Sequence, residues 1–147
     1  MDSSLVYLVQ TDTTVGFSSS NDEKLSFIKQ RANTQKILQT VDSFKILKQN
    51  TRIPNKYKRM VRNSKLSTFI YPNGNSYRVV SKNNTFHSFI KKFSISYSTS
   101  ANMNKQKYDE KFAYDNADVI VLEKNGFREV KASSIYKINT VNIKRFR

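Results

Sequence analysis

Cysteine and tryptophan are absent from the 147 residues, and the only histidine is His87. Disulfides, thiolate nucleophiles and cysteine-based zinc sites are therefore excluded. One imidazole cannot build a multi-histidine metal centre, and it makes a histidine-based triad a poor expectation. Three glycines and two prolines rule out a collagen-like or Gly/Pro-rich fibre. Long hydrophobic runs are missing too. The longest aliphatic run, Val119 to Leu122, falls far short of the ~20 residues that a membrane span needs. The chain opens on Met1-Asp2 rather than a basic segment, so no signal peptide is expected. The expectation is a cytoplasmic protein with no membrane partner, and one domain over residues 1–147. Ten Phe and eight Tyr are enough to fill a modest core.

Acidic residues are missing from one long stretch. Between Asp42 and Asp109 there is none, whereas Ser43 to Tyr108 holds ten Lys and four Arg. That block carries nearly all of the net charge of +15. A one-signed block makes a field that attracts polyanions such as nucleotides or nucleic acid. A codon bias towards Lys and Asn would also raise the charge, but it accounts less well for 66 residues without an acid.

Secondary structure reads as interspersed strands and helices, a mixed α/β domain. Leu5–Val9 reads as a strand and Thr11–Gly16 as a polar turn. Ser20 with Glu23 resembles a capping box, opening a helix that buries Leu25, Ile28 and Phe27. Lys36–Val41 follows as a strand, then a short helix capped by Asp42 or Ser43. A basic helix is expected over Asn55–Arg62, after Pro54. Leu66–Tyr71 and Ser76–Val80 flank Asn73-Gly74, a strong hairpin signal. Phe86, Phe89, Ile90 and Phe93 recur at helical spacing over Asn84–Phe93, which leaves His87 a packing or surface residue. Ile95–Ser98 is strand-like, Asp118–Lys131 reads as a second hairpin around Asn125-Gly126, and Ser134–Ile138 and Val141–Phe146 read as strands.

Two polar segments carry candidate chemistry: Lys29-Gln30-Arg31, with Lys36 nearby, and Ser98-Thr99-Ser100-Ala101-Asn102. Each sets its polar partners at i and i+2. Such pairs share a face in extended backbone and diverge on a helix. Lys29 and Arg31 can act together only if the helix ends by about Lys29. Arg supplies a planar fork and Lys a mobile point charge, while Ser and Asn can reach phosphate oxygens. Together they could cradle a triphosphate.

The order Thr11-Asp12-Thr13 with Gly16, Lys29-x-Arg31, Tyr77-Arg78-Val79 and Ser98-Thr99-Ser100-Ala101-Asn102 resembles the YrdC-like domain of threonylcarbamoyl-AMP synthases, over about Leu5 to Arg145. The resemblance implies a twisted, mixed and largely antiparallel sheet with flanking helices and a central basic concavity. It implies a nucleotidyltransferase that joins L-threonine, bicarbonate and ATP into threonylcarbamoyl-adenylate and pyrophosphate. Partner proteins then carry the group to tRNA. By motif, Lys29, Arg31, Ser100 and Asn102 are implied to grip the phosphates, with Ser98 and Thr99 beside the same anion. Thr11, Thr13 and Arg78 are implied to wall the threonine pocket. Mg²⁺ is expected with the ATP, without a protein metal site of its own, and Asp12 reads as a turn-former.

Departures from the family pattern are Gln10 and Ala32 where prolines are usual, Asn63-Ser64-Lys65 in place of a Gly-Pro stretch, and Val80-Ser81-Lys82 after Arg78. A helix before the first strand and a C-terminal domain are also missing from the pattern. The competing readings are a non-catalytic module of the same fold that binds nucleotide or double-stranded RNA, and a carbamoyl-handling activity like that of larger proteins with this fold. The basic run Lys56-Tyr57-Lys58-Arg59 could touch an RNA backbone or be a solvated helix face.

Overall fold

The structure, a computed structural model, describes residues 1–147. Nine strands form one mixed sheet in the order β7-β1-β2-β6-β3-β5-β4-β8-β9. They are β1 (Tyr7–Gln10), β2 (Val15–Ser19), β3 (Gln39–Val41), β4 (Ser67–Ile70), β5 (Ser76–Val79), β6 (Ile95–Ser100), β7 (Val119–Ile120), β8 (Ser134–Ile138) and β9 (Ile143–Arg145). The pairs β1/β7, β3/β5 and β4/β8 are parallel, and the other five are antiparallel. The helices are α1 (Asp22–Ile28), α2 (Phe44–Asn50), α3 (Lys58–Asn63), α4 (Thr85–Ile90) and α5 (Glu110–Asp115). None is long and apolar enough to cross a membrane.

Burial on both faces of the sheet explains the strand sequences. Along β1 the side chains alternate between two cores. Val6 and Leu8 join Phe17, Leu25 and Ala113, whereas Tyr7 and Val9 join Phe86, Phe89 and Ile90 of α4. A third core gathers Leu47 of α2, Val61 of α3, and Phe69, Tyr71 and Tyr77 of the β4–β5 hairpin. That hairpin turns through Gly74 at φ +81, a left-handed conformation that Gly adopts without strain. Ser43 caps α2 and Asn84 caps α4, each side chain accepting a helix N–H.

Several expectations are corrected. Asn21, not Ser20, caps α1, and Phe27 faces solvent at 85 % exposure. Val15–Ser19 is a strand because it lies between β1 and β6 and is buried along its whole length, which overrides its Gly and Ser content. Only Gln39–Val41 of Lys36–Val41 pairs, while β6 runs on to Ser100. The second hairpin does not form. Val119–Ile120 pairs parallel with β1, and within Phe127–Lys131 the one bridge to the sheet is Thr14 to Glu129. Helix α5, absent from the sequence reading, is capped by Asp109 and buries Ala113.

Candidate functional site

Helix α1 ends in a Schellman closure, in which Gln30 N–H donates to Phe27 and Arg31 N–H to Ser26. Gln30 sits at φ 51, a position where Gly is usual. The closure ends the helix at Lys29 and sends Lys29 and Arg31 in different directions. Lys29 is 2 % exposed. Its Nζ donates to Ser100 O at 2.9 Å, to Asn102 Oδ1 at 2.8 Å and to Asn102 O. Ser100 Oγ in turn donates to Asn102 Oδ1 at 2.6 Å. Burial, and secondly Arg31, pull the Lys29 ammonium down to about 8. Arg31 is half-buried, its Nε has no partner, and burial lowers its pKa from the ordinary guanidinium value.

Between β1 and β2, Thr11 Oγ1 donates to Thr14 O at 2.6 Å and accepts the N–H groups of Thr13 and Thr14. This self-closed turn projects Asp12 against Arg78 of β5. Arg78 Nε and Nη2 reach the two Asp12 oxygens at 3.0 and 2.8 Å, and both side chains are 4 % exposed. Asp12 is therefore an ion-pair partner, a role that its place in a turn did not reveal. Arg78 Nη1 points to Ser133 Oγ at 3.5 Å, a hydroxyl that also accepts from Arg147 Nη2 at 3.4 Å.

These elements enclose a cavity of about 530 Å³. Seven of the residues to which the sequence motifs give a binding role line it: Thr11, Thr13, Arg31, Arg78, Ser98, Thr99 and Ser100. Lys29 and Asn102 stand behind its wall, where the ammonium holds the end of β6. Gly16 lets β2 and β6 approach at the rim, because a Cβ there would lie 2.8 Å from Thr99 O. Sequence reasoning missed Ser133, Arg147 and Glu129. The Ser133-Ser134 doublet opening β8 is the one local signal for the first, and the other two reach the cavity only through the sheet order. Lys36 also lines it, with Nζ held by Asn73 O at 3.1 Å and Asn75 Oδ1 at 2.8 Å.

Arg31, Lys36, Arg78 and Arg147 line the hollow with the single carboxylate of Glu129, and with Arg78 paired to Asp12 three cations still outnumber that carboxylate. Its side chains do not make a metal site. Asp12 is committed to Arg78, and no three His, Cys, Asp or Glu side chains converge anywhere.

Comparison with family models finds no match, and comparison with curated proteins finds none. Solved structures do match. A double variant of P. abyssi Sua5 superposes with a TM-score of 0.77 at 12 % identity, covering 95 % of this chain and 51 % of that one. E. coli YciO gives 0.76 at 15 % identity, covering 98 % and 82 %. Full-length HypF in its phosphate- and nucleotide-bound form gives 0.69 at 14 % identity, covering 98 % and 27 %. The chain spans about half the length of that Sua5 and about a quarter of HypF. The fold is YrdC-like, with the mixed sheet and flanking helices that the sequence motifs imply.

Proposed function

We propose that the cavity binds ATP together with L-threonine and bicarbonate and forms threonylcarbamoyl-adenylate. One observation carries this reading: Arg31, Ser98, Thr99 and Ser100 line the same hollow as Thr13, Arg78 and Ser133. The first set supports a reading as a phosphate grip, and the second as the wall of a pocket for a small carboxylate-bearing molecule.

The threonine amine, losing a proton, adds to the carbon of bicarbonate, and water leaves. A carbamate oxygen then attacks the α-phosphorus, the α–β phosphoanhydride bond breaks and pyrophosphate departs. Arg31 offsets charge on the phosphates from a partly desolvated position, where preorganised donors are most effective. Lys29 is a positioning residue that fixes the Ser100 and Asn102 oxygens. Magnesium would enter with the triphosphate, because the side chains supply no set of ligands for it. Partner proteins acting on tRNA would consume the product.

The test is pyrophosphate release together with calorimetry. Release should require ATP, threonine and bicarbonate together, and Arg31→Ala should reduce it about a hundredfold or more in a protein that remains folded. Absence of ATP binding would overturn the reading. Binding without pyrophosphate would favour a non-catalytic nucleotide module. That second reading draws support from Asp12, which occupies two of the Arg78 donors a substrate carboxylate would need.

A further inference from the structure

Six of the eleven acidic residues lie between Asp109 and Glu129, against three basic ones in the same stretch. It is an acidic segment in a chain whose net charge is +15. Within it, α5 and the turn closed by Gly126 N–H donating to Glu123 O at 2.9 Å enclose a pocket of about 220 Å³. Tyr108, Glu110, Tyr114, Leu122, Glu123 and Phe127 line it. We infer that this pocket binds an organic ammonium group, carried by a free amine or by a lysine side chain.

The rings are the first reason. Tyr114 and Phe127 have centroids 6.4 Å apart and planes at 74°, so they form two adjoining walls. Tyr108 and Phe127 also pack against the core that holds Phe17 and Ala113, which anchors them. An aromatic face attracts a cation, and rings set around a compact cationic head recognise quaternary ammonium groups. Lysines and arginines stack on Phe44, Tyr57, Tyr136 and Phe146, and none stacks on the three pocket rings.

Uncompensated charge is the second reason. No basic side chain lines the pocket. Glu110 and Glu123 belong to neither ion pair of the molecule, Lys24–Asp118 or Arg78–Asp12. The Tyr108 hydroxyl has no hydrogen-bond partner. Burial, and secondly Glu110, raise this phenol above its usual range, so it stays neutral beside the carboxylates. Two carboxylates among rings are too few oxygens for a calcium or magnesium ion. An apolar guest would use the rings and leave the charges unanswered. Walls meeting at 74° suit a compact head better than a flat guanidinium. An alkylammonium uses both rings and carboxylates.

The inference does not rest on the adenylation reading, because no residue lines both hollows. The experiment is an amide NMR titration of the full chain with choline, with the neutral carbon isostere of choline, with spermidine, and with a short lysine peptide, unmodified and trimethylated. Choline should shift the amides of Tyr114 and Phe127 and bind about tenfold more tightly than its isostere. Tyr114→Leu keeps an apolar wall and loses the ring, and it should weaken choline about three- to tenfold, whereas Tyr114→Phe should match the parent. Glu110→Gln with Glu123→Gln changes no shape at this surface. It should weaken choline and remove the salt dependence of its binding, while leaving the isostere and ATP calorimetry unchanged. Spermidine binding more tightly than the peptides identifies a free amine as the source, the reverse identifies a lysine side chain, and either supports the inference. An isostere that binds as tightly as choline, full choline affinity in the double glutamine variant or in Tyr114→Leu, or no binding of any of these amines overturns it.

Discussion

Arg78 on β5 and Asp12 in the β1–β2 turn, 66 residues apart in the chain, meet in a two-pronged ion pair at 2.8 and 3.0 Å. Almost no solvent reaches either side chain. A buried pair of this kind is weak as a net stabiliser, but removing one partner strands a charge. Asp12→Ala should lower unfolding free energy by about 3–5 kcal/mol, read by urea denaturation. Combining it with Arg78→Met should recover part of that loss. If the single variant is as stable as the parent, the pair is not closed in solution.

Lys29 makes stability depend on pH in an alkaline window. Its folded value is about 8 against an ordinary 10.5, so between these limits the unfolded chain binds more protons than the folded one. Burial therefore penalises the folded state fully below pH 8, and the penalty is relieved as pH rises towards 10.5. Stability should climb across this window by at most about 1.4 kcal/mol per pH unit. Lys29→Met should lack the climb, which chemical denaturation at stepped pH would measure. Tyr71 opposes it above pH 10, since burial raises its phenol above the usual value and ionisation there favours unfolding.

Gln30 holds a left-handed conformation at φ 51. Gly at this position relieves the Cβ clash, and after the extra chain entropy is counted Gln30→Gly should stabilise by about 0.5–1 kcal/mol. A β-branched residue there should destabilise. Thermal melts of the pair decide the sign, and a loss of stability in the Gly variant would mean that the helix does not end as described.

Gly16 brings β2 against β6 beside the cavity. Gly16→Ala places a methyl group 2.8 Å from Thr99 O, closer than packing allows, so the strands must part. A loss of about 1–3 kcal/mol is expected. ATP affinity should drop with it, since Thr99 and Ser100 lie on the displaced strand. Unaltered affinity would place the nucleotide elsewhere.

Local signals determined part of this protein. The Asn73-Gly74 turn and the Phe86/Phe89/Ile90 stripe act over a few residues, and the β4–β5 hairpin and α4 formed there, although α4 ends at Ile90 and not at Phe93; of the two caps the sequence offered α2, Ser43 is the one used. The motif order was legible as well, because the polar runs around Thr11, Arg31, Arg78 and Ser98–Ser100 are short and contiguous. Tertiary structure decided the rest. Val119–Ile120 is too short to declare a partner, and it pairs parallel with β1, where Ile120 packs against the core around Leu8. Lys29 is like any lysine at a helix end until Ser100 and Asn102, more than 70 residues away, enclose its ammonium. Asp12 and Arg78 could each have faced water, and only the packing of β1, β2 and β5 buries them together. Contacts between distant residues arise from how the sheet is ordered, and no window of neighbouring residues encodes that order.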